Sequence, residues 1–227
     1  MLNRDEIILI LNQSKNIDFK YELFGTNKHK YQLNPPVASS FVRSIEEKYD
    51  FLLPDDYFQF ITEVGDGGAG PHYGIEPFED LVKRSLIQDA EEYNELYRKS
   101  LKNSFTPRPM LPNELENYAI ATKTSYEQNP DKYFVYDKSE EDAECNFDGF
   151  YILGTQGCQW DFGIVTAGKM RGKVFVTDNI GAYCLIADSF EEFYKNWLNS
   201  ISDTEIIKKS LHEQRKLFGR KWKLFKK

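Results

Sequence analysis

LPDDYFQFITEVGDGGAGPHYGIEPF, residues 53–78, is the most instructive stretch of the chain. Pro54 suits the first position of a helix, where its missing N–H is no loss, and Asp55 and Asp56 follow in the positive first turn. Tyr57, Phe58, Phe60, Ile61 and Val64 supply an apolar face at helical spacing. Gly65 then reads as a left-handed C-terminal cap. The loop that follows, GDGGAGPHYG at 65–74, needs backbone freedom more than side chains. It lacks the Gly-Lys-Ser/Thr ending of a phosphate loop, and it follows a helix instead of leading from a strand into one. The helix before it also turns its negative end towards the loop, which disfavours anions. The loop therefore reads as a structural turn.

Upstream, Pro35-Pro36 breaks the chain, and Phe41, Val42, Ile45 and Tyr49 then recur at helical spacing, with Ser39 or Ser40 placed to cap the start. Earlier still, Ile7 to Leu11 opens a short helix, and FKYELFGTNKHKYQL at 19–33 reads as irregular or edge-strand structure. Downstream, Leu81 to about Leu101 reads as a polar helix with Tyr93, Tyr97 and Leu101 at intervals of four, closed by Pro107, Pro109 and Pro112. The period then changes. YFVY from Tyr133, FYIL from Phe150, FGIVT from Phe162, KVFVT from Lys173 and AYCLIA from Ala182 are β-type runs, too closely spaced for crossover helices. Ser189 to Glu192 forms a capping box, and Phe190, Phe193, Trp197 and Ile201 give the next helix its stripe. Ile207, Leu211, Phe218, Trp222 and Phe225 carry the rhythm into the tail.

These patterns predict an α+β fold: one central, mainly antiparallel sheet of about five to six strands with helices packed against it. The predicted organisation is an N-terminal extension at 1–34 and a domain at 35–204 with a variable helical insert at 81–119. A basic amphipathic helix at 205–227 closes the chain.

At 41% hydrophobic and 15% aromatic, the 227 residues can build a sizeable core, which excludes global disorder. No apolar run reaches the roughly 20 residues of a membrane span. Ile7 to Leu11 is too short for a secretion signal. Cys145, Cys158 and Cys184 leave an odd thiol and no CxxC pair, so a reducing cytoplasm is the expected compartment. From Lys208 to Lys227 nine Lys or Arg face one acid, Glu213; that tail carries +8 and leaves −15 on the rest of a chain whose net charge is −7. An acidic body repels nucleic acid and favours basic partners.

Candidate chemistry is sparse. Gly157-Cys158-Gln159-Trp160 faintly resembles a thiol nucleophile, which needs a base. Among His29, His72 and His212, His72 in the glycine loop is the nearest match; the plainer reading is a small turn residue between strands. Asp137, Ser139, Glu141 and Glu144 imitate a calcium loop, but Asp142 stands where its turn glycine belongs. The histidines share no ligand spacing with one another or with the cysteines. No metal and no cofactor is expected. The acidic run Asp137, Glu140, Glu141, Asp142, Glu144 and Asp148 reads as a solvated loop or as a landing site for a basic partner.

Residues 53–78 resemble the signature of the SUKH superfamily, in the branch of the yeast cell-wall synthesis regulators and their bacterial relatives (the Smi/Knr branch). GTQGCQWDFGIVTAGKMRGKVFVTDN at 154–179 is similar to that family's second block, and Phe190 to Leu198 to its closing aromatic helix. Gln159 stands where the family favours Gly, Phe175 where Trp is common, and the tail after Ser202 has no counterpart. The resemblance implies a binding module, not an enzyme: bacterial members neutralise polymorphic or contact-dependent toxins, and fungal ones are regulatory scaffolds. It carries no catalytic set. Gly65, Gly67, Gly68, Gly70 and Pro71 match as shape-setting positions, and Gly157 with Cys158 as a turn. The resulting expectation is an immunity protein with a basic toxin domain as partner; the alternative is a regulatory adaptor that uses the basic tail.

Overall fold

All five β-type runs of the second half become strands of one antiparallel sheet. The computed structural model describes residues 2–82, 101–136, 148–158, 160–178 and 181–224. The sheet order is β1-β2-β6-β5-β4-β3, from β1 (Arg108–Pro109), β2 (Tyr133–Val135), β3 (Phe150–Gly157), β4 (Trp160–Val165), β5 (Val174–Thr177) and β6 (Ala182–Ala187). The sixth strand, β1, falls inside the proline-rich stretch expected only to end a helix. Its two residues pair with β2 at the margin of the sheet, where Pro109 has no ladder donor to forfeit. The opposite margin is blunted too. β3 carries two register shifts, and the Glu76 N–H donates to the Leu153 carbonyl at 2.8 Å.

Both faces of the sheet are covered, which is why its strands read as near-continuous apolar runs. Tyr151, Leu153, Phe162, Ile164, Val174 and Val176 join the main core with the helices. Phe134, Phe150, Val165, Phe175 and Tyr183 form a second cluster around Phe105, whose ring lies 5.7 Å from that of Phe150 and 5.0 Å from that of Tyr183.

The helices are α1 (Arg4–Ile17), α2 (Thr26–His29), α3 (Ser39–Tyr49), α4 (Asp55–Gln59), α5 (Phe78–Val82), α6 (Lys123–Gln128), α7 (Phe190–Ser202) and α8 (Thr204–Leu224). α1 outruns the expected five residues because Asn3 caps it, accepting from the Asp5 and Glu6 N–H groups. Its Ile7 and Leu11 are buried, and the Ser14 hydroxyl donates to the Ile201 carbonyl of α7 at 2.7 Å. α3 starts from Ala38 without a side-chain cap, so neither Ser39 nor Ser40 plays the expected part. Pro54 occupies the cap position of α4, one residue earlier than expected. α4 then widens into a π-helical turn at Phe60–Val64, which buries Phe60, Ile61 and Val64 together.

Phe190 of α7 sits against both elements, 4.9 Å from the rings of Tyr57 and of Phe60. α7 is capped by Ser189, whose hydroxyl accepts the Glu192 N–H; the Glu192 carboxylate reaches back to the Asp188 N–H. α8 packs through Ile207 and Leu211, and Arg215 pairs with Glu22 of the N-terminal extension.

Gly65 corrects the sequence reading. Its φ of 175° is extended, not left-handed. Glycine is needed there because a Cβ would lie 2.9 Å from the Asn34 carbonyl oxygen and 3.2 Å from Leu33 Cβ. The reason is close passage against the N-terminal extension, not a helix cap.

Candidate functional site

Three segments meet at one end of the molecule: the loop between α1 and α3, the glycine loop, and the tip of the β3–β4 hairpin. The first is built on Asp18. Its buried carboxylate accepts the Glu22 N–H at 2.7 Å, the Leu23 N–H at 3.2 Å, the Thr26 hydroxyl at 2.9 Å and the Tyr31 hydroxyl at 3.1 Å. Burial and the Asp18 charge together push the Tyr31 phenol well above its ordinary range. Gly25 then enters α2 with φ 81°, pressed against the His72 carbonyl.

At the other end of α2, His29 Nδ1 accepts the Tyr31 N–H at 3.0 Å, which leaves Nε2 to carry the proton of the neutral ring. Burial lowers the His29 pKa from 6.5 to about 4, against a smaller opposing pull from Asp18. The unfolded chain therefore binds this proton at a higher pH than the folded one. The stability tied to a neutral His29 is complete above about pH 6.5 and is lost as pH falls towards 4. Urea midpoints measured from pH 7 to pH 4 are expected to fall by the equivalent of roughly 3 kcal/mol from this residue. His29→Gln should flatten that limb; an unchanged slope in the variant would refute the assignment.

The glycine loop is held from all sides. Gly68 bridges Leu33 on one flank and Ile75 on the other. At φ 89°, a Cβ on Gly68 would come within 2.4 Å of the Gln32 carbonyl oxygen. The Ala69 N–H donates to that same carbonyl, and the Tyr194 hydroxyl of α7 donates to the Ala69 carbonyl at 2.8 Å. Asp66 accepts the Phe78 N–H at 2.8 Å at the start of α5. Burial raises the Asp66 pKa, offset in part by that N–H, while the nearby Asp80 and Glu79 charges push the same way as burial. Gly67 takes φ 72°, Gly70 abuts Ile75, and Pro71 is buried. These positions set shape, as a structural turn requires.

At the hairpin tip, Gly157 and Cys158 both take left-handed φ, 89° and 59°. The Thr155 hydroxyl pins the turn, accepting the Gly157 N–H and donating to the Trp160 carbonyl. A Cβ on Gly157 would touch the Tyr73 ring at 3.0 Å. Tyr73 in turn lies 5.1 Å from Phe24, an exposed aromatic of the extension, and the Lys28 ammonium sits 5.9 Å from its centroid. The structure thus brings Cys158 and the His72–Tyr73 pair to the same end. Cys158 is exposed, His72 packs its ring near Phe24 and Phe162, and among the described residues no hydrogen bond joins the two. Burial lowers the His72 pKa.

Beside these rings opens a cleft of about 660 Å³, lined by Lys28 and His29 on one wall and by Tyr73, Glu76, Pro77 and Asp80 on the other. Gln32, Asn34, Gly68 and Ile75 complete it. A second hollow of about 640 Å³ lies over α3, but its cations have partners: Arg43 bonds Glu46 and stacks on Phe58, Arg171 donates to the Leu53 carbonyl, and Lys102 pairs with Asp50.

The acidic run Asp137, Glu140, Glu141, Asp142 and Glu144 lies outside the described residues, as does Cys145. Asp148 accepts from Asn103. Among the described residues no group of three or more His, Cys, Asp or Glu is placed to hold a metal ion, and no helix is long and apolar enough to cross a membrane. Asp18, His29, Tyr73 and the cleft carried no signal in the sequence beyond single residues of common type; only the fold collects them. Comparison with protein-family models, with curated proteins and with solved structures finds no match to this chain.

Proposed function

We propose that this chain is a protein-binding module of the SUKH type that neutralises a basic toxin domain by docking on it. The observation that carries the reading is the charge partition: −15 outside a +8 tail, on a chain whose glycine loop at 65–74 is a closely held turn. A body of that net sign attracts a nuclease-like partner, whose own surface is positive, and speeds its encounter. The work of such a protein is occlusion. The test is co-expression with the products of the genes that flank it, any toxin among them first. Growth rescue and a co-purifying complex that weakens as salt rises are expected. The absence of both rescue and complex would overturn the reading.

The second reading, a regulatory adaptor, is favoured by the basic tail alone. Deleting 205–227 is a poor test of it, because Ile207 and Leu211 belong to the core. Replacing the Lys and Arg residues from Lys216 onward with Gln leaves those contacts, and the Arg215–Glu22 pair, in place. Loss of a cellular partner from that variant would support the adaptor.

A further inference from the structure

The cleft between α2 and the segment 73–80 has two walls of opposite character. One presents the Lys28 ammonium and, from His29, a neutral ring whose Nδ1 is already turned to the Tyr31 N–H. His29 is 8% exposed, and among the described residues no acceptor takes its remaining N–H, on Nε2. Glu76 and Asp80 stand on the facing wall, Asp80 at an exposed position. Tyr73 and Pro77 add apolar surface, and Asn34, whose amide nitrogen is committed to the Asp66 carbonyl, keeps its side-chain oxygen as an acceptor. About 660 Å³ lies within the range of small-molecule sites.

A simple anion would meet the acidic wall, and a simple cation would meet Lys28. A ligand carrying both charges satisfies both walls. We infer that this cleft binds a small zwitterion of the α-amino-acid class, free or as a dipeptide. The carboxylate lies on Lys28 Nζ and His29 Nε2–H, and the ammonium faces Asp80. Charge-assisted hydrogen bonds of this kind are the strong ones, and the half-buried floor screens them less than open solvent does. The site does not depend on the toxin-binding reading, since it uses neither the tail nor the acidic run at 137–148.

The experiment uses the full-length protein and a panel of the twenty free L-amino acids with their glycyl dipeptides, screened by calorimetry and by amide NMR shifts. At least one member is expected to bind, with shifts centred on Lys28, His29, Tyr73 and Asp80. Nα-acetylation and C-amidation of that ligand should each weaken binding roughly tenfold or more. Lys28→Ala and Asp80→Asn, both at exposed positions, should do the same with an unchanged thermal midpoint. Glycine amide and acetate serve as single-charge probes and should not bind. No binding by any member at about 10 mM, a limit near the weakest useful affinities, would overturn the inference. So would binding indifferent to both caps and both substitutions.

Discussion

Gly25→Ala is expected to destabilise the protein by about 3 kcal/mol or more, among the largest single effects in the chain. Two costs combine there. The residue holds φ 81°, and an added Cβ would lie 1.8 Å from the His72 carbonyl oxygen and 2.2 Å from its carbon. Those are backbone atoms of the glycine loop and cannot rotate aside, so either the loop or the extension must move. Gly172→Ala is the natural control: its φ is 90°, but nothing lies within 4 Å of the added carbon. That variant should show the conformational penalty alone, about 1 kcal/mol. Urea denaturation of both separates backbone strain from collision. Equal losses would mean that the extension does not press against the glycine loop as described.

Asp18→Ala is expected to cost about 3 kcal/mol, with Asp18→Asn intermediate. The carboxylate gathers two N–H groups and two hydroxyls from 22–31 around one buried point. Alanine strands the two N–H groups and the Tyr31 hydroxyl, while Thr26 keeps the Leu23 carbonyl, and stranded donors cost more than the bonds themselves were worth. The loss should be local first. Hydrogen exchange at the Glu22 and Leu23 amides is expected to accelerate before the sheet amides respond, because β2 to β6 do not depend on Asp18. Amino-acid binding in the cleft should fall with it, since Lys28 and His29 are carried on the segment Asp18 organises. A loss under about 1 kcal/mol, within the range of ordinary surface changes, would show that solvent already serves those donors.

Much of the architecture was legible because local pattern and tertiary role coincide. Tyr133, Phe150, Phe162, Lys173 and Ala182 each open or adjoin an apolar β-branched or aromatic run, and each run is a strand. Phe190, Phe193 and Ile201 repeat at helical spacing, and all three are buried. The reading failed where the reason for a residue lies on another segment. Gly65 looked like a helix cap, yet it is glycine because Asn34 and Leu33 pass too close for a Cβ. Pro109 looked like a stop, yet it pairs at a sheet margin where a missing N–H is harmless. Ser39 and Ser40 looked like caps, yet helix α3 begins without a side-chain bond.

The candidate site shows the same division more sharply. Gly157 and Cys158 could be read as a turn because a glycine between β-type runs requires one. That this turn rests on Tyr73, 84 residues away, and that Tyr73 shares a cleft with His29, 44 residues away, follows from contacts no local pattern links. Charge and the helix and strand periods were settled by the chain itself, because they depend on neighbours in sequence or on totals. The paired walls of the cleft, the forced tautomer of His29 and the collision at Gly25 were decided by the tertiary structure alone. Each is a distance between residues that periodicity does not relate.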